Sequence, residues 1–200
     1  MWKRTLRDID LKNKNVLVRV DFNITLDNGN IADDSRIRSV IPTIKYLQEQ
    51  NARIILCSHL GRPGGMVIDE MRLKPVALKL SEILEMPVTS TEDCIGTDIR
   101  TMVSAIQPGG VVLLENLRFH AEEEANDPEF ARELASLADV FINDGFAVAH
   151  RAHASTEGVT HHLPSVAGLL MEKELEVLGT LLKSPQPPVA VILGGAKVSD

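Results

Sequence analysis

Five apolar runs rich in valine and isoleucine constrain this chain more than any other feature: "VLVRV" (16–20), "RIILCS" (53–58), "VVLLE" (111–115), "DVFIN" (139–143) and "VAVIL" (189–193). A strand with one wet face alternates apolar and polar residues. Near-continuous apolar runs of this length suit strands covered on both faces, the condition of a parallel sheet between helical layers. The intervening segments carry helix signals. Asp33 and Asp34 precede "SRIRSVIPTIKYLQEQ", Lys74-Pro75 opens "VALKLSEILE", and Asp127-Pro128 opens "EFARELASLA" with proline at the first helical position. Strand and helix in alternation predict an α/β fold, doubly wound and Rossmann-like, with three layers and a parallel sheet in the middle. "MPVTS" (86–90) predicts a further short strand. The stretch "KSPQPP" (183–188) follows the amphipathic segment "LLMEKELEVLGTLLKS" and precedes a fresh strand, which predicts a domain boundary.

Composition narrows the function. With 200 residues and 44% hydrophobic content the chain can bury a full core, as one domain or one plus part of another. Its net charge of −7 argues against nucleic-acid binding, which needs a basic surface to displace counterions from phosphates. An anionic ligand would have to be held by a local basic patch. Cys57 and Cys94 are too few for a disulfide framework, and no charged-then-apolar leader opens the chain, so a reduced, cytoplasmic protein is expected. No apolar run nears the ~18 residues of a membrane span, so no membrane is expected as a partner.

In open α/β sheets, ligands sit beyond the carboxyl ends of the strands, so the residues just after each run carry the chemistry. After "VLVRV" come Asp21 and Asn23, with Arg36 downstream. After "RIILC" comes "SHLGRP", giving His59 and Arg62. After "VVLLE" comes Arg118, and after "DVFIN" come His150, Arg151 and His153. Any one of these arginines alone is most simply a solvated charge. Several at successive strand ends imply a small, highly charged ligand, because guanidinium forks match phosphate oxygens. His150 and His153 lack cysteine or carboxylate neighbours at zinc-like spacing, so a structural role is expected and no metal site is assigned. His161 and His162 receive no function. The segment "VAVILGGAKVSD" runs from strand through Gly194 and Gly195 towards a helix start, where free N–H groups receive phosphate and Lys197 stands beside them. It has the spacing of neither GxxxxGK[ST] nor GxGxxG.

"RVDFNITLDNGNIADDSRI", "SHLGRP", "LLENLRFHAEEEANDPEFARELASLADVFINDGFAVAHRAHAS" and "VILGGAKVSD" together resemble the phosphoglycerate kinase family, in order and at its spacing. Thr25 departs from a usual proline, and Ala147-Val148 from a more familiar Gly-Thr or Ala-Ser. Neither change removes a charged contact. The resemblance implies a 3-phosphoglycerate-binding N-terminal domain over 1–170, an interdomain helix and hinge over 171–188, and the start of a nucleotide-binding domain over 189–200, its remainder absent. It implies that Asp21 and Asn23 hydrogen-bond the hydroxyl and carboxyl end of 3-phosphoglycerate. His59, Arg62, Arg118 and Arg151 would hold the 3-phosphate, with Leu60 and Gly61 beside them, and Arg36 would face the carboxyl group. Gly194, Gly195 and Lys197 would meet nucleotide. The implied reaction moves a phosphoryl group between 1,3-bisphosphoglycerate and ADP, giving 3-phosphoglycerate and ATP, with Mg2+ arriving on the nucleotide and Arg36 and Lys197 neutralising the moving group. A monomer is implied, and the 200 residues alone are expected to bind without turnover. A charged His59 would favour binding on the acid side of its titration.

Two other readings bear weighing. "VDFNIT" is one residue from the DxDx[TV] motif of haloacid-dehalogenase-like phosphatases, but Asn23 cannot serve as the acid that the second aspartate supplies there. The chain could also act as a non-catalytic module that binds phosphoglycerate and transfers nothing.

Overall fold

The computed structural model describes residues 4–27 and 29–190. One parallel six-stranded sheet organises them. Its strands are β1 (Asn15–Arg19), β4 (Arg53–Cys57), β5 (Val88–Ser90), β6 (Val111–Leu113), β7 (Val140–Asn143) and β8 (Ser165–Ala167), in the order β5-β6-β4-β1-β7-β8. The runs expected around 16, 53, 111 and 139 and the short strand in "MPVTS" are all present. The run at 189–193 falls mostly outside the described residues. A two-stranded antiparallel hairpin, β2 (Leu26–Asp27) with β3 (Asn30–Ile31), follows the end of β1, and Gly29 at φ +79° makes its turn.

The near-continuous apolar runs divide between two cores with the strand period of two. Val16, Val18, Ile54, Leu56, Leu113 and Ile142 face one side and pack against Ile37, Val40, Ile44 and Leu47 of helix α1 (Ser35–Glu49) and Val76 and Leu80 of α2 (Lys74–Leu84). Leu17, Ile55, Cys57, Val112 and Phe141 face the other. They pack against Ile99 and Val103 of α3 (Thr97–Ser104) and Phe130 and Leu134 of α5 (Pro128–Ala135). These are the three layers that the sequence predicts. A four-residue helix, α4 (Ala121–Glu124), precedes α5, and α6 (Leu169–Lys183) ends where "KSPQPP" begins.

Local signals act as their chemistry dictates, with one exchange of roles. Asp127 accepts the Phe130 N–H at 2.9 Å and caps α5, with Pro128 behind it. At α1 it is Asp33 that takes the Ser35 N–H (2.8 Å), whereas Asp34 turns to Arg38 Nε one helical turn on (2.9 Å). β8 and α3 escape the sequence reading: "PSVAG" is three strand residues with one exposed, and "TDIRTMVS" supplies only two buried positions. No helix among the described residues is long and apolar enough to cross a membrane.

Candidate anion-binding site

β1 lies between β4 and β7, and the chain steps to opposite sides of it, so a crevice opens beyond its carboxyl end. The loops leaving β1, β4, β6 and β7 meet there. Asn116, at the end of the β6 loop, ties two of them together. Its Oδ1 accepts from the N–H groups of Leu60 and Arg118 (both 3.1 Å), and its Nδ2 donates to the carbonyls of Leu60 (2.8 Å) and Met71 (3.0 Å). Gly61 sits at φ +67°, a left-handed conformation that favours glycine, and a Cβ there would displace the flexible end of Met71 (Sδ at 2.8 Å). Its N–H donates to Asn23 Oδ1 (2.9 Å) and its carbonyl accepts from Arg118 Nη1 (2.8 Å). Leu60 and Gly61 thus use their backbone groups to hold the loop, and Asn23 is joined to the β4 loop.

His59, Arg118 and Arg151 converge. Burial and the charges of Arg19, Arg118, Arg151 and His153 push His59 down to about 2. His59 is therefore neutral at physiological pH, so the condition for acid-favoured binding, a charged His59, is not met. Arg118, 3% exposed, is also pushed below its usual range by burial and by Arg151 and Arg19, opposed by Glu124 at 3.0 Å and more weakly by Glu123. The Nε atoms of both Arg118 and Arg151 are buried without a partner among the described residues. Buried donors left unpaired in a knot of like charge are costly unless an anion completes them. Arg62 stands exposed beside the loop, with no ion pair among the described residues.

Asp21 and Arg36 form an ion pair with each other, and Asp21 Oδ1 also accepts from the Asn23 N–H at 3.2 Å. Both line a cleft of about 330 Å3 with Asp144, Gly145, Phe146 and Leu170, which does not include His59, Arg62, Arg118 or Arg151. Asp144 caps α6 through the N–H groups of Leu170 (2.9 Å) and Met171 (3.2 Å), and burial raises its carboxyl above the usual range. Gly194, Gly195 and Lys197 lie outside the described residues.

Three functional-site residues were hidden in the sequence. Arg19 is 1% exposed within an otherwise apolar strand, and its guanidinium reaches Ser155 Oγ (2.9 Å), the Val20 carbonyl and His59 Nδ1 (3.0 Å). Ser155 in turn donates from Oγ and N to the buried carboxylate of Glu123 (2.6 and 2.9 Å). The available signal was a lone arginine inside "VLVRV": a cation on a buried face demands a buried partner. His153 lies 3.8 Å from Glu123, His161 pairs with Glu157 at 2.5 Å, and His150 is exposed. Asp93, Cys94 and His120 also bring ligand-type atoms within 4.8 Å, but His120 Nε2 and the Cys94 N–H share Asp93 Oδ1 and the Cys94 thiol is pushed well up by burial, a hydrogen-bonded turn.

A family model described as phosphoglycerate kinase matches residues 6–200. The phosphoglycerate kinase of Pelotomaculum thermopropionicum is 60% identical over 200 residues, covering 100% of this chain and 51% of that protein. That of Dictyoglomus turgidum is 60% identical over 203 residues with the same coverage. Among solved structures, phosphoglycerate kinase from Pyrococcus horikoshii OT3 superposes with TM-score 0.88 at 37% identity, over 97% of this chain and 49% of that one. Phosphoglycerate kinase from Coxiella burnetii gives 0.82 at 39% identity, over 94% and 47%. The chain spans about half the length of the curated relatives it matches. With the family model matched over residues 6–200 and relatives 60% identical across its full length, the chain belongs to the phosphoglycerate kinase family.

Proposed function

We propose that this chain is the phosphoglycerate-holding part of a kinase that moves a phosphoryl group reversibly between 1,3-bisphosphoglycerate and ADP, giving 3-phosphoglycerate and ATP. The observation that carries the reading is the pair of buried, unpartnered Nε donors of Arg118 and Arg151 around a neutral His59. Those two guanidinium groups and Arg62 hold the 3-phosphate, and His59 adds a neutral N–H donor. Asp21 and Asn23 orient the hydroxyl and carboxyl end; a bare anion trap would have no use for the carboxylate of Asp21. Arg36 turns from Asp21 to the substrate carboxyl. That carboxylate is already ionised and needs no general base, so the residues contribute alignment and charge neutralisation. The nucleotide, with Mg2+, supplies the donor phosphoryl group, and Lys197, Gly194 and Gly195 are assigned to it. The exposed Val177, Leu178, Leu181 and Leu182 on the distal part of α6 suit an interdomain helix over 171–188, between a binding domain over 1–170 and a nucleotide domain from 189. A cytoplasmic monomer is the proposed setting. Calorimetry with 3-phosphoglycerate beside a coupled ATP-consumption assay tests the reading. Binding without turnover by the 200-residue protein is expected. Absence of binding removes the assignment, and measurable transfer overturns the division of labour.

A further inference from the structure

The guanidinium of Arg19 can only donate hydrogen bonds, and one of its N–H groups meets Nδ1 of His59 at 3.0 Å. Nδ1 must therefore be the bare, accepting nitrogen, which leaves the imidazole neutral with its proton on Nε2. Nε2 has no protein partner among the described residues. Arg19 cannot rotate out of this contact, since Nε is held by Ser155 and Nη1 by the Val20 carbonyl, and the Ser155 hydroxyl is itself committed to Glu123. The chain Glu123–Ser155–Arg19–His59 joins α4, the loop after β7, β1 and the loop after β4. Its buried charges balance: one carboxylate for one guanidinium.

We propose that Arg19 is a positioning residue that locks His59 as a neutral Nε2–H donor, so that the site takes the phosphate of its ligand as a dianion. The proposal rests on the phosphate-binding reading above and fixes its sign with pH. Facing His59 are Arg19 from β1, Arg118 from the turn after β6, and Arg151 and His153 from the loop after β7. Glu124 pairs with Arg118, and Glu123 faces Arg19 through Ser155 and His153 at 3.8 Å. Burial and neighbouring arginines push His153 down as well. The arginines around the ligand keep their charge between pH 5 and 8 and His59 keeps a bare Nδ1 towards Arg19, so the group that drives the pH dependence is the phosphate, whose second ionisation lies near pH ~6.

Nitrogen-15 spectra of the unliganded 200-residue protein resolve each histidine. Between pH 5 and 8, His59 should show a bare Nδ1 and a protonated Nε2 throughout. An imidazolium at pH 5.5, or the proton on Nδ1, would overturn the lock. Titration with 3-phosphoglycerate at constant ionic strength should give affinity that falls towards tenfold per unit below pH ~6 and is level above about 7. Affinity that instead weakens as pH rises from 5.5 to 7.5 would mean a charged histidine and sink the proposal. In Arg19→Met, His59 should begin to titrate within pH 5–7; a His59 that stays neutral in a folded variant removes the role from Arg19. The wild-type spectra decide the tautomer even if that variant does not fold. Absence of binding at every pH overturns the functional reading and the dianion clause with it, whereas the ligand-free spectra judge the histidine separately.

Discussion

Arg19 and Arg62 both flank His59, one across a hydrogen bond and the other three residues along the chain, and they are held in opposite ways. Arg19 is 1% exposed, with every guanidinium nitrogen engaged and a buried carboxylate one hydroxyl away. Arg62 projects into solvent. Arg118 lies between them, buried yet with one donor unpartnered. The difference teaches where each charge is stabilised. Arg19 is stabilised by partners within the fold, Arg62 by water, and Arg118 keeps a buried donor that the proposed anion would complete.

The comparison breaks most visibly at Glu123. Glu123→Ala strands Arg19 without its counter-ion and removes both hydrogen bonds to Ser155, so unfolding by urea should show a loss of about 3–5 kcal/mol. A loss below about 1 kcal/mol would mean that the charge of Arg19 is balanced elsewhere.

Arg118→Ala should separate binding from folding. Affinity for 3-phosphoglycerate should fall by about 1.5–3 kcal/mol, the range for a charge-assisted hydrogen bond. Stability should change far less than in Glu123→Ala, because truncation also relieves repulsion from Arg19 and Arg151. If calorimetry finds unchanged affinity in Arg62→Ala, Arg118→Ala and Arg151→Ala alike, the cluster is not a phosphate clamp.

The buried half should also register in the pH dependence of stability. His59 titrates near 6.5 when unfolded and at about 2 when folded, so on acidification the unfolded chain takes up the proton first. The contribution is complete above pH 6.5 and is lost as pH falls, by about 2 kcal/mol between 6.5 and 5. His153 acts in the same direction. Asp144, raised by burial, acts in the opposite direction, favouring the fold as pH falls towards the carboxylate range. His59→Asn keeps an acceptor towards Arg19 but cannot titrate, and its stability profile should lose about one proton of slope. An unchanged profile would show that His59 is not held neutral.

The fold was legible where its physics is local or periodic. Runs such as "RIILC" announce burial on both faces, and the Asp127-Pro128 start of α5 is nearly unambiguous. The positions of the rim residues were legible too, since Asp21, His59 and Arg118 each follow a strand that a parallel sheet must align. What remained hidden depends on contacts distant in sequence. Arg19 meets Ser155 across 136 residues, and Asn116 meets Leu60 across 56. Nothing within "VLVRV" or "ENLRF" names those partners. The neutral state of His59 was hidden for the same reason, since its burial and its surrounding arginines come from separate elements.

The smallest effect belongs to Arg62 and sharpens the comparison from the exposed side. Arg62→Ala should leave the urea midpoint nearly unmoved, because the side chain is exposed and no ion pair among the described residues is lost. Its effect should appear in binding, and only conditionally. An exposed guanidinium is screened over about 8 Å at physiological salt, so the penalty for losing it should be a few-fold at low ionic strength and shrink as salt is added. The penalty for Arg118→Ala should persist, because a charge that is 3% exposed is shielded from counterions by the protein around it. Parallel 3-phosphoglycerate titrations of the two variants over a salt series make the test. Penalties that shrink together would place Arg118 in the same solvated environment as Arg62, and the distinction between a buried clamp and an exposed rim would fail.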